Sequence, residues 1–196
     1  MDRRFLSLLP VAGVLSGTAL LGLAAVWYPG RYHWSDLTIS ALFQPATPTG
    51  VVNPARPLAV LGVLTVMSGV ALLFHLVSSQ TRSAFHKKAI RFAGIGSTVF
   101  ATFTVTLLHD LMAALALVCF VVATSAVLHM LFSERALGLF VLGVLFVVME
   151  LGTAVLYFGQ IFLRFLPVGQ KAALVLIGFW LLAVQHRAGV PEHSSP

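Results

Sequence analysis

Apolar residues run along this chain in long blocks separated by short polar breaks. A helix needs about 20 mostly apolar residues to cross a bilayer. Six blocks approach that length: Phe5–Trp27, Pro57–Val77, Phe92–Leu108, Leu111–Phe132, Ala136–Tyr157 and Lys171–Gln185. The last is short and becomes adequate where its helix starts near Val168 or tilts. No block alternates with the period of two that a membrane barrel strand requires, and hydrocarbon offers no partner to an unpaired backbone group. The pattern therefore predicts an all-α, polytopic membrane protein. It is expected to form an up-down bundle of six transmembrane helices over residues 1–187, followed by a disordered cytoplasmic tail, 188–196. His109-Asp110 and Ser133-Glu134-Arg135 read as tight turns, and tight turns force antiparallel neighbours. Only the first loop, from about Tyr28 to Arg56, is long.

Composition agrees with the pattern. The chain is 59% hydrophobic and 9% charged, against roughly 45–50% and about 25% in soluble domains. A domain of this size leaves too much surface in water to hide that excess in a core, so lipid must supply the apolar solvent. The opening MDRRFLSLLP resembles the start of a signal peptide. Its apolar stretch runs on to Trp27 and ends without a small-residue cleavage site, so it is expected to stay as the first span.

The net charge of +6 raises the question of nucleic acid. The basic residues are spread among short loops, which fits anionic lipid headgroups and topology signals better. With the N-terminus inside, eight of the 12 Lys and Arg residues fall on inner segments, and Arg82, Lys87, Lys88 and Arg91 share one loop. That bias predicts both termini on the cytoplasmic side of the cell membrane. Trp27, Tyr28, Tyr32 and Trp34 would then form an aromatic belt at the outer interface.

Candidate chemistry concentrates at the outer half. Of six acids, Asp2, Glu134 and Glu192 fall in inner loops or tails, leaving Asp36, Asp110 and Glu150. Glu150 lies inside the fifth block, where an ionised carboxylate costs roughly 2.5–3.5 kcal/mol, so it should face the bundle interior with a partner or be protonated. His33, His109, Arg164 and Lys171, with Gln160 and Gln170, are the polar partners on its side. Within the long loop, WSDLTISALF reads as a short helix with Ser35 as N-cap and Asp36 at its positive end. A hydrolytic metal site from His33, His109, Asp36 and Asp110 has no supporting ligand spacing, so no metal is assigned. His75 and His129 sit at similar depth near the inner ends of the second and fourth blocks, as a bis-histidine haem would require. Cys119 is the lone cysteine, which excludes an internal disulfide or CxxC motif. Gly13 and Gly17 fit the small-xxx-small pattern of close helix approach, for which intramolecular packing is the default.

The run YPGRYHWSDLTISALFQPATPTGVVNP resembles the bacterial and archaeal integral membrane family known as domain of unknown function nine-nine-eight, related to DRAM- and FRAG-like membrane proteins. The resemblance rests on Pro29, Ser35, Asp36, Ile39, Ser40, Leu42, Asn53 and Pro54, on His109 opening the fourth span, and on Gly169, Gln170 and Lys171 before the last. Phe43-Gln44 stands where that family has a glycine, and Lys171 where it has arginine. The resemblance implies a six-span bundle with a capped outer face and no particular reaction.

Together these readings predict that Arg31–Pro45 folds over the outer mouth of the bundle. Ser35, Asp36, Ser40 and Asn53 would join His109, Asp110, Glu150, Gln170 and Lys171 in an outward-facing polar pocket for a lipid or other amphiphile. Membrane lipids are the expected partners and nucleic acid is not; no cofactor or oligomeric state is specified. A membrane-embedded lipid hydrolase or transferase, with or without a metal, using His109 as general base or metal ligand with Asp36 and Asp110 in support, is the alternative. A bis-histidine haem protein is the third reading.

Overall fold

The computed structural model describes residues 3–187; the expected tail, 188–196, lies outside the described residues. The regular elements are helical throughout. They are α1 (Arg3–Val26), α2 (Arg56–Ser78), α3 (Ala84–Lys88), α4 (Gly94–Phe103), α5 (His109–Ser133), α6 (Leu137–Phe158) and α7 (Leu166–Arg187). Two 3-10 turns, Ile39–Phe43 and Leu163–Phe165, lead into α2 and α7. Five helical stretches are long and apolar enough to cross a membrane: Leu8–Val26, Arg56–Ser78, His109–Ser133, Leu137–Phe158 and Leu163–Arg187. The chain is a multi-pass membrane protein.

The third block is built differently from the others. The short basic α3 passes through a π-helical turn, Ala89–Ala93, into the ten-residue α4. The chain then loosens into turns from Thr104 until α5 begins.

α2 packs on α4, α4 on α5, α5 on α6, α6 on α7, and α7 back on α2, closing a five-helix ring. α1 stands outside it and packs along α2. Glycine sets how closely those two approach. A Cβ placed on Gly17 would lie 2.6 Å from the Val66 backbone nitrogen and 2.7 Å from the Gly62 carbonyl oxygen. The small-residue stripe is therefore spent within the chain, which suits a bilayer, where association depends on close packing and not on hydrophobic exclusion. The side chain of Gln80, just past α2, donates to the Gln185 carbonyl near the end of α7 at 3.4 Å, so those two ring neighbours run parallel.

Aromatic packing plugs the ring on one side of its middle. Phe120 meets Phe146 edge-on at 5.3 Å, and Phe146 lies 5.9 Å from Trp180. The Trp180 indole, fully buried, donates to the Leu139 carbonyl at 2.9 Å. That bond resolves the one polar demand of an otherwise apolar plug.

Three local expectations change. His109 and Asp110 form the first turn of α5, not a connecting loop, because the turns before them already reverse the chain. The loop helix exists but is a 3-10 turn starting at Ile39, and its N-cap residue is Thr38. Ser35 instead donates to the neighbouring Asp36 at 2.9 Å. α7 gains a turn and more at its start, from Leu166, with Pro167 in its first turn, where a missing N–H costs nothing.

Candidate functional site

The ring lines a partly open cavity of about 310 Å³ between the aromatic plug and the loop before α2. Its walls are mostly hydrocarbon, from residues such as Val63, Val66, Val70, Phe146 and Ile177. The stripes follow helical spacing: Glu150, Thr153 and Tyr157 repeat at three to four residues along α6, as do Ser97 and Ala101 along α4 and Thr104 at its C-cap.

The loop Trp27–Ala55 lies over the cavity as a lid, and Tyr32, Asn53 and Arg56 hold its shape, while the buried Tyr28 hydroxyl has no hydrogen-bond partner among the described residues. Tyr32, 5% exposed, donates its hydroxyl to the Leu37 and Thr38 carbonyls, both at 2.9 Å. Burial, then the adjacent Tyr28 ring, pushes the Tyr32 hydroxyl far above the ordinary tyrosine range, which keeps it a donor. Asn53 is 4% exposed and bridges inward, donating to the Leu42 and Gln44 carbonyls at 2.8 and 3.1 Å while accepting from the Ala55 amide. Arg56 donates to the Phe43 carbonyl at 3.0 Å.

Two adjacent α7 residues pin this lid from the side. Gln170 accepts the Ile39 amide at 2.9 Å. The Lys171 ammonium donates to three carbonyls, Leu37 at 2.6 Å, Trp34 at 2.8 Å and Pro167 at 3.2 Å. It also lies 5.5 Å from the Tyr32 ring and 5.7 Å from the Trp34 ring, within cation–π range. An ammonium has three donors, so Lys171 is saturated.

At the cavity rim, α5 and α6 meet through a second cluster. Tyr157 donates to the Asp110 carboxylate, and His109 Nδ1 lies 3.0 Å from that same oxygen and 3.1 Å from the Tyr157 hydroxyl. Asp110 itself faces outward, its side chain 76% exposed.

Glu150 differs from all of these. It lies seven residues below Tyr157 on the same helix, about 10 Å deeper at 1.5 Å per residue. It lines the cavity, and its carboxylate takes no hydrogen bond or ion pair from the described residues.

Of the residues read from the sequence as one pocket, the structure brings Ser40, His109, Glu150 and Gln170 to one cavity. Asp110 stands behind His109. Asn53 and Lys171 serve the lid. Ser35 and Asp36 are exposed, bonded to each other and not to His109 or Asp110, so the expectation that Asp36 enters the pocket is corrected. The physical reason is the later helix start, which leaves Asp36 in a solvent-facing turn where its charge stays hydrated.

Tyr157 was missed, although its spacing from Glu150 and Thr153 already placed all three on one helix face. His33 is exposed, and among the described residues no three His, Cys, Asp or Glu side chains gather as metal ligands would. His129 stacks on His86, with ring centroids 4.6 Å apart and 17° from parallel. Face-to-face rings do not aim their nitrogens across a shared iron, so the pairing of His129 with His75 around haem is not the contact found. No known protein family, curated protein or solved structure matches this chain.

Proposed function

We propose that this protein binds a lipid or other amphiphile in the cavity beneath its lid. The observation that carries the reading is the partly open cavity of about 310 Å³, at the small end of the ~300–1,000 Å³ typical of small-molecule sites. Apolar walls suit a hydrocarbon body. Polar points at two depths, the His109, Tyr157 and Gln170 rim and the Glu150 carboxylate below it, suit a molecule with a polar group. The reading includes a six-span topology, with α3 and α4 together supplying the third span, and both termini cytoplasmic on the bias of Lys and Arg. The lid would then be extracytoplasmic. Kinship with the domain-of-unknown-function nine-nine-eight family belongs to the same proposal and rests on the lid and α7 motif residues.

The test is thermal stability of the purified full chain in mild detergent with octyl compounds of differing head group. Binding predicts stabilisation by at least one, and its loss in Ala154→Phe, which fills the cavity from α6. No stabilisation by any octyl compound, or equal stabilisation of the filled variant, removes the proposal.

The Asp110 contact at His109 Nδ1 favours a second reading, a lipid hydrolase or transferase. A carboxylate there would hold the ring as a general base with its other nitrogen available. Turnover of labelled membrane lipid by the wild type, lost in His109→Ala, would promote it.

A further inference from the structure

The charge and hydrogen-bonding balance of the cavity wall goes further than its shape. Seven hydroxyl residues line it; Thr38 and Ser40 pair with each other at the lid, Tyr157 sits at the rim, and the four on or beside α4 and α6 have already spent their protons. Ser97 donates to the Gly94 carbonyl, Thr98 to Ile95, Thr104 to Ala101 and Thr153 to Glu150, all at 2.7–2.8 Å within their own helices. Such self-bonding is the usual way a spanning helix satisfies a hydroxyl. It leaves lone pairs and no proton to offer. Glu150 adds two carboxylate oxygens without a partner. The Lys171 ammonium on α7 is fully engaged by the Trp34, Leu37 and Pro167 carbonyls. The Tyr157 hydroxyl is committed to Asp110. The donors left to the cavity, the Gln170 amide and one proton of the Thr38–Ser40 pair, lie at its lid end, whereas the helical hydroxyls offer only lone pairs and Glu150 is an acid without a partner among the described residues.

A ligand complementary to that wall brings both positive charge and N–H groups, inside a hydrocarbon body. We infer that the cavity selects a protonated amine attached to an apolar body, with its ammonium against Glu150. The inference rests on the amphiphile reading above and narrows it to one head-group class. Charge-assisted N–H···O⁻ bonds are the strong class of hydrogen bond, and a water-poor site strengthens them further. A quaternary ammonium carries the charge without the donors and fits less well. A hard inorganic cation asks for roughly six oxygen ligands, which walls built of valine, isoleucine and phenylalanine do not supply. A free amine and an aminophospholipid head group both present this ammonium chemistry.

The experiment compares octylamine, octyltrimethylammonium and octanol on the full chain at neutral pH, reading affinity from thermal shifts. Octylamine is expected to bind about tenfold or more tighter than octanol, equivalent to about 1.4 kcal/mol, with the trimethyl compound between them. Glu150→Gln should reduce octylamine to the octanol level. Equal affinity of amine and alcohol in the wild type, or an amine advantage that survives Glu150→Gln, overturns the inference while leaving the amphiphile reading intact. Failure of all three compounds sinks both. Protection by sodium chloride to the same extent as by octylamine also overturns it.

A second measurement needs no variant: octylamine, and not octanol, should slow labelling of Glu150 by a membrane-permeant carbodiimide, and equal labelling rates count against the proposal. In nanodiscs, protection of Glu150 by phosphatidylethanolamine over phosphatidylcholine identifies a lipid source. Protection by octylamine alone identifies a free amine. Either supports the inference.

Discussion

Lys171 and Glu150 are both ionisable, both half-buried, and both on helices of the same ring, yet they live in opposite circumstances. Lys171 meets three carbonyl oxygens and two aromatic rings. Glu150 meets no donor among the described residues and looks into an open space. A charge that is fully answered by its own chain is fixing a structure. A charge left unanswered in an apolar setting raises the energy of the unliganded protein and is retained for what it can meet. Ion type and depth alone do not separate the two; the ledger of donors and acceptors does.

The largest expected effect attacks the answered charge. Lys171→Ala should destabilise the protein by about 2–3 kcal/mol, the scale of lost hydrogen bonds to a charged group. It should also open the Trp27–Ala55 lid to protease, read by chemical denaturation and limited proteolysis in the same preparation. Glu150→Gln, without ligand, should leave stability unchanged or raise it by about 1 kcal/mol, since an unpaired charge is removed from an apolar site. Like responses from the two variants would erase the contrast.

Smaller changes sharpen it at the rim. Tyr157→Phe should cost about 1 kcal/mol by removing one of the two side chains that meet Asp110, His109 remaining, whereas Asp36→Ala should stay within about 0.5 kcal/mol, as exposed substitutions do. Equal losses would mean that Asp36 serves the bundle after all.

The smallest effect is alkaline. The folded Tyr32 hydroxyl holds its proton more tightly than the unfolded one, so its share of stability is fully present below about pH 10, the unfolded value. That share falls as pH rises further toward the folded value. Tyr32→Phe should flatten this alkaline limb of the stability profile, and an unchanged limb would assign it to other groups.

The helices were legible because long apolar blocks have one physical solution in lipid, and the structure places helices over every block. Element ends were less so. Hydropathy starts counting where polarity stops, and it therefore missed His109 and Asp110 in the first turn of α5 and the opening turn of α7, which Pro167 had marked. Glu150 could be picked out as inward-facing from its cost alone. Whether Lys171 faced a ligand or a lid could not, because its carbonyl partners Trp34 and Leu37 lie 137 and 134 residues away in the chain. A basic residue beside an aromatic loop reads the same in either role. Tyr157 was available from helical spacing and was obscured by its place at the end of an apolar block.

The lid's attachments are lopsided. Its hydrogen bonds to the ring go to α7, through Gln170 and Lys171, and to α2, through Arg56. Among the described residues none reaches α4 or α5. The cover is thus moored along one shore, and a guest of the proposed kind entering over the arc from Thr104 to His109 would unfasten none of these bonds.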